Sequence, residues 1–368
     1  MLHLPRRLSR YIALETLIGL AGAVMVIGAV ILLVDFVEQS RAIGTRVESI
    51  SALDLLMLTF LKAPLLLEET LPFVFLFGVL ATLFRLNRRS ELIVMRASGY
   101  SAWRILSAPI VIALLTGILG ATALNPIGAA MNAEFERRQE ALTSIRTDVE
   151  AEDPVWLRET TPEGFTVIAA RALDENARRI RNPSFFFYTL TEGGAPAFER
   201  RIDSSHADLN AGFWVLEDAV ERAPGQDATD LGAISIQTFI DRQALFERSR
   251  SPRGVAFWDL PGLIRSARAA GLDANRYELR LHSLLALPLT LIAATLIAAA
   301  ATLRLYRLGG AGAFALAGGI SGFVVYFFQE LLRSFGATGT LPPITAAWAA
   351  PAITALVAAI YIASTEDG

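Results

Sequence analysis

Apolar residues in this chain are gathered into runs of a length that few soluble helices reach. Leu17–Val34, Ile105–Leu124, Leu284–Leu303, Gly309–Phe328 and Ile344–Ile362 contain no charged residue. A helix rises about 1.5 Å per residue, so roughly 20 apolar residues cross a hydrocarbon core of ~30 Å. The surface helix of a soluble domain shows a polar residue every three or four positions, and these runs do not. Each therefore predicts a membrane span. Ala63–Phe84 predicts a sixth, interrupted by Pro64, Glu68, Glu69, Thr70 and Pro72. Charges at that depth must face protein or a watery cavity, or else the helix proper begins near Leu71 and is tilted or short. Arg6, Arg7 and Arg10 precede the first run, but that run is too long for a signal core. It ends in Asp35-Phe-Val-Glu38 instead of a small-residue cleavage site, so it reads as an anchor.

Between spans three and four the pattern changes. Pro154–Arg158, Phe165–Ala169, Ser184–Leu190, Phe213–Leu216 and Ile234–Phe239 are rich in β-branched and aromatic residues. Turn material separates them at Thr161-Pro-Glu-Gly164, Glu192-Gly-Gly194, Asn210-Ala-Gly212 and Pro224-Gly225. Short strands at this spacing suggest a sandwich or an open barrel. Helical patterns flank them at about Ala129–Thr147 and Asp259–Ala270, the second stopped by Gly271. The expected division is residues 1–125 with spans one to three, 126–275 outside the membrane, and 276–368 with spans four to six.

Composition agrees with a membrane body: of 368 residues, 53% are hydrophobic and 19% charged, too few polar groups to cover a water-facing surface of that size. Charge supplies orientation. Arginines cluster before span one (Arg6, Arg7, Arg10), between spans two and three (Arg85, Arg88, Arg89, Arg96, Arg104) and between spans four and five (Arg304, Arg307). With six alternating spans these lie on one side, the cytoplasm by the positive-inside rule, with the acidic tail Glu366-Asp367. Segment 126–275 carries a net charge of −7 and the rest +4. An acidic translocated domain is thus set apart from a body with a basic inner face.

The chemistry available is limited. There is no cysteine, which removes disulfides, thiolate catalysis and thiolate metal sites, and the one lysine, Lys62, follows Leu61 and not the glycine of a phosphate loop. His206 is the only histidine of the outer segment, and Asp153, Asp174, Asp203 and Asp218 lack metal-loop spacing. No catalytic residue and no metal site is expected; a lone histidine here reads as a surface or packed residue. No cofactor is expected to be bound by this chain, and nothing in the sequence suggests nucleic acid as a partner.

One inner-face segment stands out, Arg88-Arg-Ser-Glu-Leu-Ile-Val-Met-Arg-Ala-Ser-Gly99. Ser90 can cap a helix, Glu91 suits its positive end and Gly99 supplies a left-handed stop, so about two turns of helix are specified. That is too short to span. Its apolar residues need cover, from a lipid headgroup layer or from a cytoplasmic partner. The segment Arg89-Ser-Glu-Leu-Ile-Val-Met95 with Ala97-Ser-Gly99 closely resembles the coupling helix of the LptF/LptG permease family. These are the membrane subunits of the bacterial exporter that extracts lipopolysaccharide from the inner membrane. The likeness continues through Phe36-Val-Glu-Gln39, Gly271-Leu-Asp273 with Tyr277, and Leu341-Pro-Pro343; the first and last of these look more like the LptG branch than the LptF branch.

The resemblance implies an α-helical membrane protein with six transmembrane helices and an all-β, jellyroll-like periplasmic domain inserted between spans three and four. It also implies a paralogous LptF-like permease alongside, a dimer of LptB-like ATPase subunits that uses ATP and Mg, an LptC/LptA-like periplasmic jellyroll bridge, and lipopolysaccharide as cargo. Within the coupling helix, at about 89–98, it implies Arg89, Ser90, Glu91 and Arg96 as polar contacts, Glu91 foremost, and Leu92, Ile93 and Met95 as the packing face. Cargo phosphates would be met near the outer face by Arg41, Arg46, Lys62 and Arg333, with Glu38 placed to pair with Arg41 and Lys62 close in sequence to Glu68 and Glu69. Each is equally an ordinary interfacial anchor. The family pattern places a basic residue where this chain has Asp35. Inside the outer domain Phe185, Phe187 and Trp214 are candidates for an apolar lining, strand alternation deciding which residues of Phe185–Tyr188 face inward. Lipoprotein-release permeases resemble a different layout, with the outer domain after the first of four spans. A lipid-modifying enzyme would need His or paired acids near a membrane face, and a gradient-driven carrier would show repeats.

Overall fold

The computed structural model describes residues 6–44, 51–144, 155–161, 164–170, 172–173, 179–190, 196–210, 212–225, 227–238, 252–269, 273–305 and 311–366. Arg46, Pro154, Phe239, Gly271, Arg307 and Asp367, which the sequence reading used, lie outside them. Contacts divide the chain into two compact units, a helical one made of Met1–Thr143 with Pro252–Gly368, and a sheet unit, Ser144–Ser251, inserted between its halves.

The helical unit contains α1 (Arg6–Gly44), α2 (Ala52–Arg88), α3 (Glu91–Ala97), α4 (Ala102–Leu119), α5 (Asn125–Ser144), α6 (Leu260–Ala269), α7 (Asn275–Leu305), α8 (Ala311–Ala337) and α9 (Pro343–Glu366). Five described segments are long and apolar enough to cross a membrane: Arg7–Arg41, Ala52–Arg88, Ala102–Gln139, Asn275–Thr302 and Pro343–Thr365. The remaining run, Gly309–Phe328, falls largely in α8, whose 27 residues reach roughly 40 Å. Its later turns carry Gln329, Glu330 and Arg333. The uncertain second span is one continuous 37-residue helix that contains Pro64 and Pro72, so the chain does not wait until Leu71 to become helical.

The packed centre is α2 against α7. Leu71, Val74, Phe75, Val79 and Leu83 of α2 meet Leu287, Leu291, Ala294, Leu296 and Ala298 of α7, joined by Leu20, Leu106 and Ile362. Small residues let the backbones approach, as helices in lipid require. A Cβ built on Gly117 would lie 2.4 Å from Pro288 Cα, and one on Gly19 2.5 Å from the Gly78 carbonyl oxygen. Helix α1 is peripheral, with only 17% of its apolar window buried against 61% for α7.

Helices α4 and α5 are joined without a break by one π turn, Gly120–Leu124. The local cause is Pro126, which has no N–H to offer the carbonyl of Thr122. The Asn125 N–H reaches back to Gly120 O, and the Thr122 carbonyl accepts from Trp258 Nε1 at 3.1 Å. Helices α5 and α6, which the sequence reading set within segment 126–275, fall in the helical unit apart from the last residue of α5. Leu260, Ile264 and Ala267 of α6 pack on Ala274, Tyr277 and Leu284.

The inserted unit is a curled, wholly antiparallel sheet of β1 (Val155–Thr161), β2 (Gly164–Ala170), β3 (Ala172–Leu173), β4 (Arg179–Arg181), β5 (Ser184–Leu190), β6 (Pro196–Asp203), β7 (His206–Asn210), β8 (Phe213–Arg222) and β9 (Thr229–Gln237). Its order is β1-β2-β5-β6-β8-β7-β4-β3, with β9 also paired to β8. β8 serves two neighbours on one edge: its first half pairs with β7 and its last three residues with β6. The register shifts on either side of Ala219, next to Asp218 at φ +54°, and such a bulge bends a strand enough to curl the sheet. One face collects Ile168, Ile180, Phe185, Ile202, Leu209, Trp214 and Leu216, giving the jellyroll-like half-barrel that the fold reading expected. β6 and β7 were missed because charged and polar residues dominate them: Glu199, Arg200, Arg201, His206 and Asp208.

Candidate functional site

The α3 segment is built as a docked hairpin on the end of α2. Arg89 closes α2, and Ser90 then adopts φ +60°, ψ +9°, its N–H on Asn87 O at 2.8 Å. The expectation that Ser90 caps α3 fails here. A side-chain cap needs extended backbone at that residue, but Ser90 occupies the left-handed corner between two helices and makes no side-chain cap bond. The other end is as expected. Gly99 has φ +83°, the Gly99 N–H reaches Arg96 O at 2.9 Å and the Tyr100 N–H reaches Met95 O at 3.1 Å, the paired bonds of a Schellman stop.

Two faces result. Leu92 and Met95 are 6% and 8% exposed, buried with Ile12, Leu86 and Ile105 of α1, α2 and α4. Ile93 and Val94 are 43% and 63% exposed. Of the three residues expected as a packing face for a partner, Leu92 and Met95 are therefore spent on the chain's own body. Ile93 remains, and Val94 joins it.

Polar ties reinforce the seat. Tyr11 donates its hydroxyl proton to Glu91 Oε2 at 2.7 Å. Glu15 lies 3.6 Å from both Arg85 and Arg89, and Arg89 is 3.9 Å from Glu91. Arg85 also donates to the Glu15 carbonyl. Tyr11 and Glu15 were not singled out in the sequence; their spacing along α1, i and i+4, is the one signal that they share a face. Arg96 lies on the exposed side and lines a small pocket of about 270 Å³ with Leu83, Leu92 and Ala299.

At the other end of the bundle Lys62 and Arg333 take separate partners. Lys62 does not join Glu68 and Glu69. Its ammonium lies 2.5 Å from Asp35 Oδ1 and 5.3 Å from the centre of the Phe135 ring. Glu68 accepts instead from Arg280 and Asn125, each at 2.8 Å, while the Phe257 N–H donates to Asn125 Oδ1 at 2.7 Å. This triad clamps α2, α5 and α7 at the π turn, and Arg280 was not among the sequence candidates. Glu69 lies 3.5 Å from Arg253. Glu38 and Arg41 are exposed near the end of α1. Arg333 lies 3.9 Å from Glu330 and within the fields of Arg280 and Glu69.

Between α2, α7, α8 and α9 an open apolar groove of about 420 Å³ runs past Pro72, Phe73, Leu76, Ile297, Val325 and Pro351, with Thr290, Tyr326 and Gln329 as its polar members. Arg333 follows Gln329 by one turn on α8. Along the same helix Ile320, Phe323, Val324, Phe327, Phe328 and Phe335 stand exposed, apolar surface that only lipid or another protein can cover.

In the sheet unit Phe185 and Trp214 are fully buried, ring centres 6.3 Å apart, and Phe187 lies on the same face with the Arg200 guanidinium 4.7 Å from its ring centre. Phe186 and Tyr188 face the other way: Phe186 meets Arg201, and Tyr188 stacks on Phe165 at 4.9 Å. His206 is a cross-strand neighbour of Glu217, Nε2 to Oε2 2.9 Å. Next to it the Arg179 guanidinium forks onto Asp208 at 2.7 and 2.8 Å and holds that carboxyl below the usual aspartate range. Among the described residues no three His, Asp or Glu side chains converge as metal ligands.

Comparison with known proteins fits this arrangement. The family described as "Lipopolysaccharide export system permease LptF/LptG" matches residues 10–364. The chain is 22% identical over 346 residues to the lipopolysaccharide export system permease protein LptG of Haemophilus influenzae, covering 92% of each chain. It is 24% identical over 323 residues to the protein of the same name from Escherichia coli K12, covering 86% of each. The match runs through the helical body, the α3 seat and the inserted sheet alike, and the chain belongs to the LptF/LptG family of lipopolysaccharide export permeases.

Proposed function

We propose that this chain is the LptG-type permease of an ATP-driven exporter. It draws lipopolysaccharide from the outer leaflet of the bacterial inner membrane and hands it to a periplasmic β-jellyroll bridge. Both termini and α3 lie in the cytoplasm, and the sheet unit in the periplasm. ATP and Mg are used by a separate dimer of LptB-like subunits, an LptF-like permease sits alongside, and an LptC/LptA-like protein receives the lipid.

One observation carries the reading within the family: α3 presents Ile93 and Val94 outward while Leu92 and Met95 anchor it to three membrane helices. A partner that grips the outer pair therefore moves α1, α2 and α4 together, because the inner pair is packed and the Tyr11–Glu91 and Arg89–Glu91 contacts tie the helix down. A load-bearing seat of this kind turns nucleotide-driven closure of the partner into displacement of spans, the rigid-body coupling on which switching elements rely. The exposed apolar side chains of α1 and α8 then enclose acyl chains together with the second permease, and Arg41 and Arg333 meet headgroup phosphate. Passage into the sheet unit requires its buried face, with Phe185, Phe187 and Trp214, to open to the acyl chains.

The test is co-purification of the ATPase dimer with Glu91→Arg and Val94→Asp variants, alongside an export assay in membranes. Loss of the ATPase from the complex and loss of export, with the permease still folded, is expected. Retention of both by both variants contradicts the assignment of α3.

A further inference from the structure

Where α2, α3, α4 and α7 meet at the arginine-rich end of the bundle, a notch of about 270 Å³ is walled by Leu83, Leu92, Ile105, Leu106 and Ala299. Its one charged member is Arg96, which is exposed; the rest of the lining is apolar. Leu83 is five residues from the Arg88 end of α2 and Ala299 six from the Leu305 end of α7, about 8–9 Å along the helix axes. That sets the notch just beneath a headgroup layer, at the depth where acyl chains begin. Trp103, half-buried against the apolar cluster that includes Leu83, Leu106 and Ala299, is at the level tryptophan favours in membranes.

The charge around the notch is one-sided. Among the described side chains, Arg7 and Arg10 of α1 join five arginines between positions 85 and 104, against two carboxylates, Glu15 and Glu91, a net charge of +5 for these groups. Both carboxylates are engaged, Glu15 by Arg85 and Arg89, and Glu91 by Tyr11 and Arg89. An apolar notch beside a cationic surface fits an anionic amphiphile. A free phosphate offers the apolar walls nothing, and a zwitterionic headgroup brings a cation of its own towards the arginines.

We infer that the notch is a site for an anionic phospholipid of the cytoplasmic leaflet, one acyl chain against Leu83, Ile105 and Ala299 and the phosphate on the Arg96 guanidinium. Leu92 lines the notch and also anchors α3, so a lipid seated there braces α3 against α4 and α7. This rests on the orientation proposed above, with α3 in the cytoplasm, and concerns the leaflet opposite to the one that supplies cargo.

The test uses the purified full-length chain in detergent with phosphatidylglycerol and phosphatidylethanolamine of the same acyl chains in competition. Native mass spectrometry reads the ratio retained. Wild type is expected to hold phosphatidylglycerol about fivefold better, the gain that one arginine near a membrane surface supplies. Arg96→Gln is expected to cut the ratio at least twofold, and Arg10→Gln, at an exposed arginine that does not line the notch, to leave it unchanged. Glycerol phosphate, the head without tails, should not displace phosphatidylglycerol at tenfold excess. Added phosphatidylglycerol should slow amide exchange over 91–97 at least twofold. A wild-type ratio of one or below, or a ratio unchanged in Arg96→Gln, overturns the site. An equal fall in Arg10→Gln overturns it in favour of a diffuse basic surface, and displacement by glycerol phosphate in favour of a site for soluble anions. Unchanged exchange over 91–97 overturns the brace. These measurements use neither ATPase nor cargo, so their failure leaves the export reading standing; failure of the orientation appears separately, as labelling from the periplasmic side of a cysteine introduced by Ser98→Cys.

Discussion

The Glu68–Arg280 pair gives the most quantitative handle on the helical body. Glu68 is 4% exposed, Arg280 has 14% of its side chain exposed, and the two side chains meet at 2.8 Å across α2 and α7. Removing one member of a buried ion pair leaves a charge stranded, at a cost of about 3–5 kcal/mol, whereas replacing both by apolar residues of similar volume is about neutral. Glu68→Met leaves the Arg280 guanidinium with neither its carboxylate nor a partner for Nε, which already has none. Asn125 loses its acceptor as well. The expected cost of the single change is at the upper end of that range, and the Glu68→Met/Arg280→Met double variant should recover at least half of it. The assay is detergent-solubilised unfolding followed by tryptophan fluorescence; thiol-reactive dyes are of no use in a protein without cysteine. A single variant within about 1 kcal/mol of wild type, or a double variant as unstable as the sum of the two singles, would refute the clamp.

Other consequences follow from the same structure. Gly117→Leu drives side-chain atoms into the Pro288 backbone, and should cost at least the 1–3 kcal/mol typical of overpacking, read as loss of folded protein in the same unfolding assay. Tyr11→Phe removes the hydroxyl that Glu91 accepts from and should loosen α3 by about 1 kcal/mol, seen as faster amide exchange over 91–97 with the core of α2 unchanged. In the sheet unit the hydrogen bond from Arg179 holds the Asp208 carboxyl below its ordinary range. The stability it lends is therefore present above the unfolded-state pKa and lost as pH falls through the folded one. Asp208→Asn should flatten that acid limb by a few tenths of a kcal/mol, since the pair is partly exposed and screened. Acid unfolding monitored at Trp214 checks this.

What could be read from the sequence divides along physical lines. The uncharged runs were legible because lipid tolerates little else, and strands such as Ser184–Leu190 because aromatic and β-branched residues crowd them. Gly99 declared its turn because few other residues adopt φ +83° without strain. Ser90 misled because the same side chain serves as a cap only in extended backbone, and its backbone is fixed by the corner between α2 and α3. Polar partners were the least legible. Lys62 lies six positions from Glu68 yet pairs with Asp35, 27 residues away, while Glu68 finds Arg280 across 212 residues. Helix packing brings these together, and no local rule encodes it. Leu92 and Ile93 are adjacent apolar residues on one short helix, and only the seat against Ile12, Leu86 and Ile105 decides that one is anchor and the other surface.

The central claim is that α3 is the handle by which the partner's nucleotide cycle reaches the membrane helices. A photo-crosslinking amino acid placed in turn at Leu92, Ile93 and Val94, in membranes that also contain the ATPase subunits, tests it directly. The account predicts adducts with the ATPase from positions 93 and 94, their yield changing with nucleotide, and adducts only within the permease from position 92. Labelling of the ATPase from position 92 alone, or from none of the three, would contradict it.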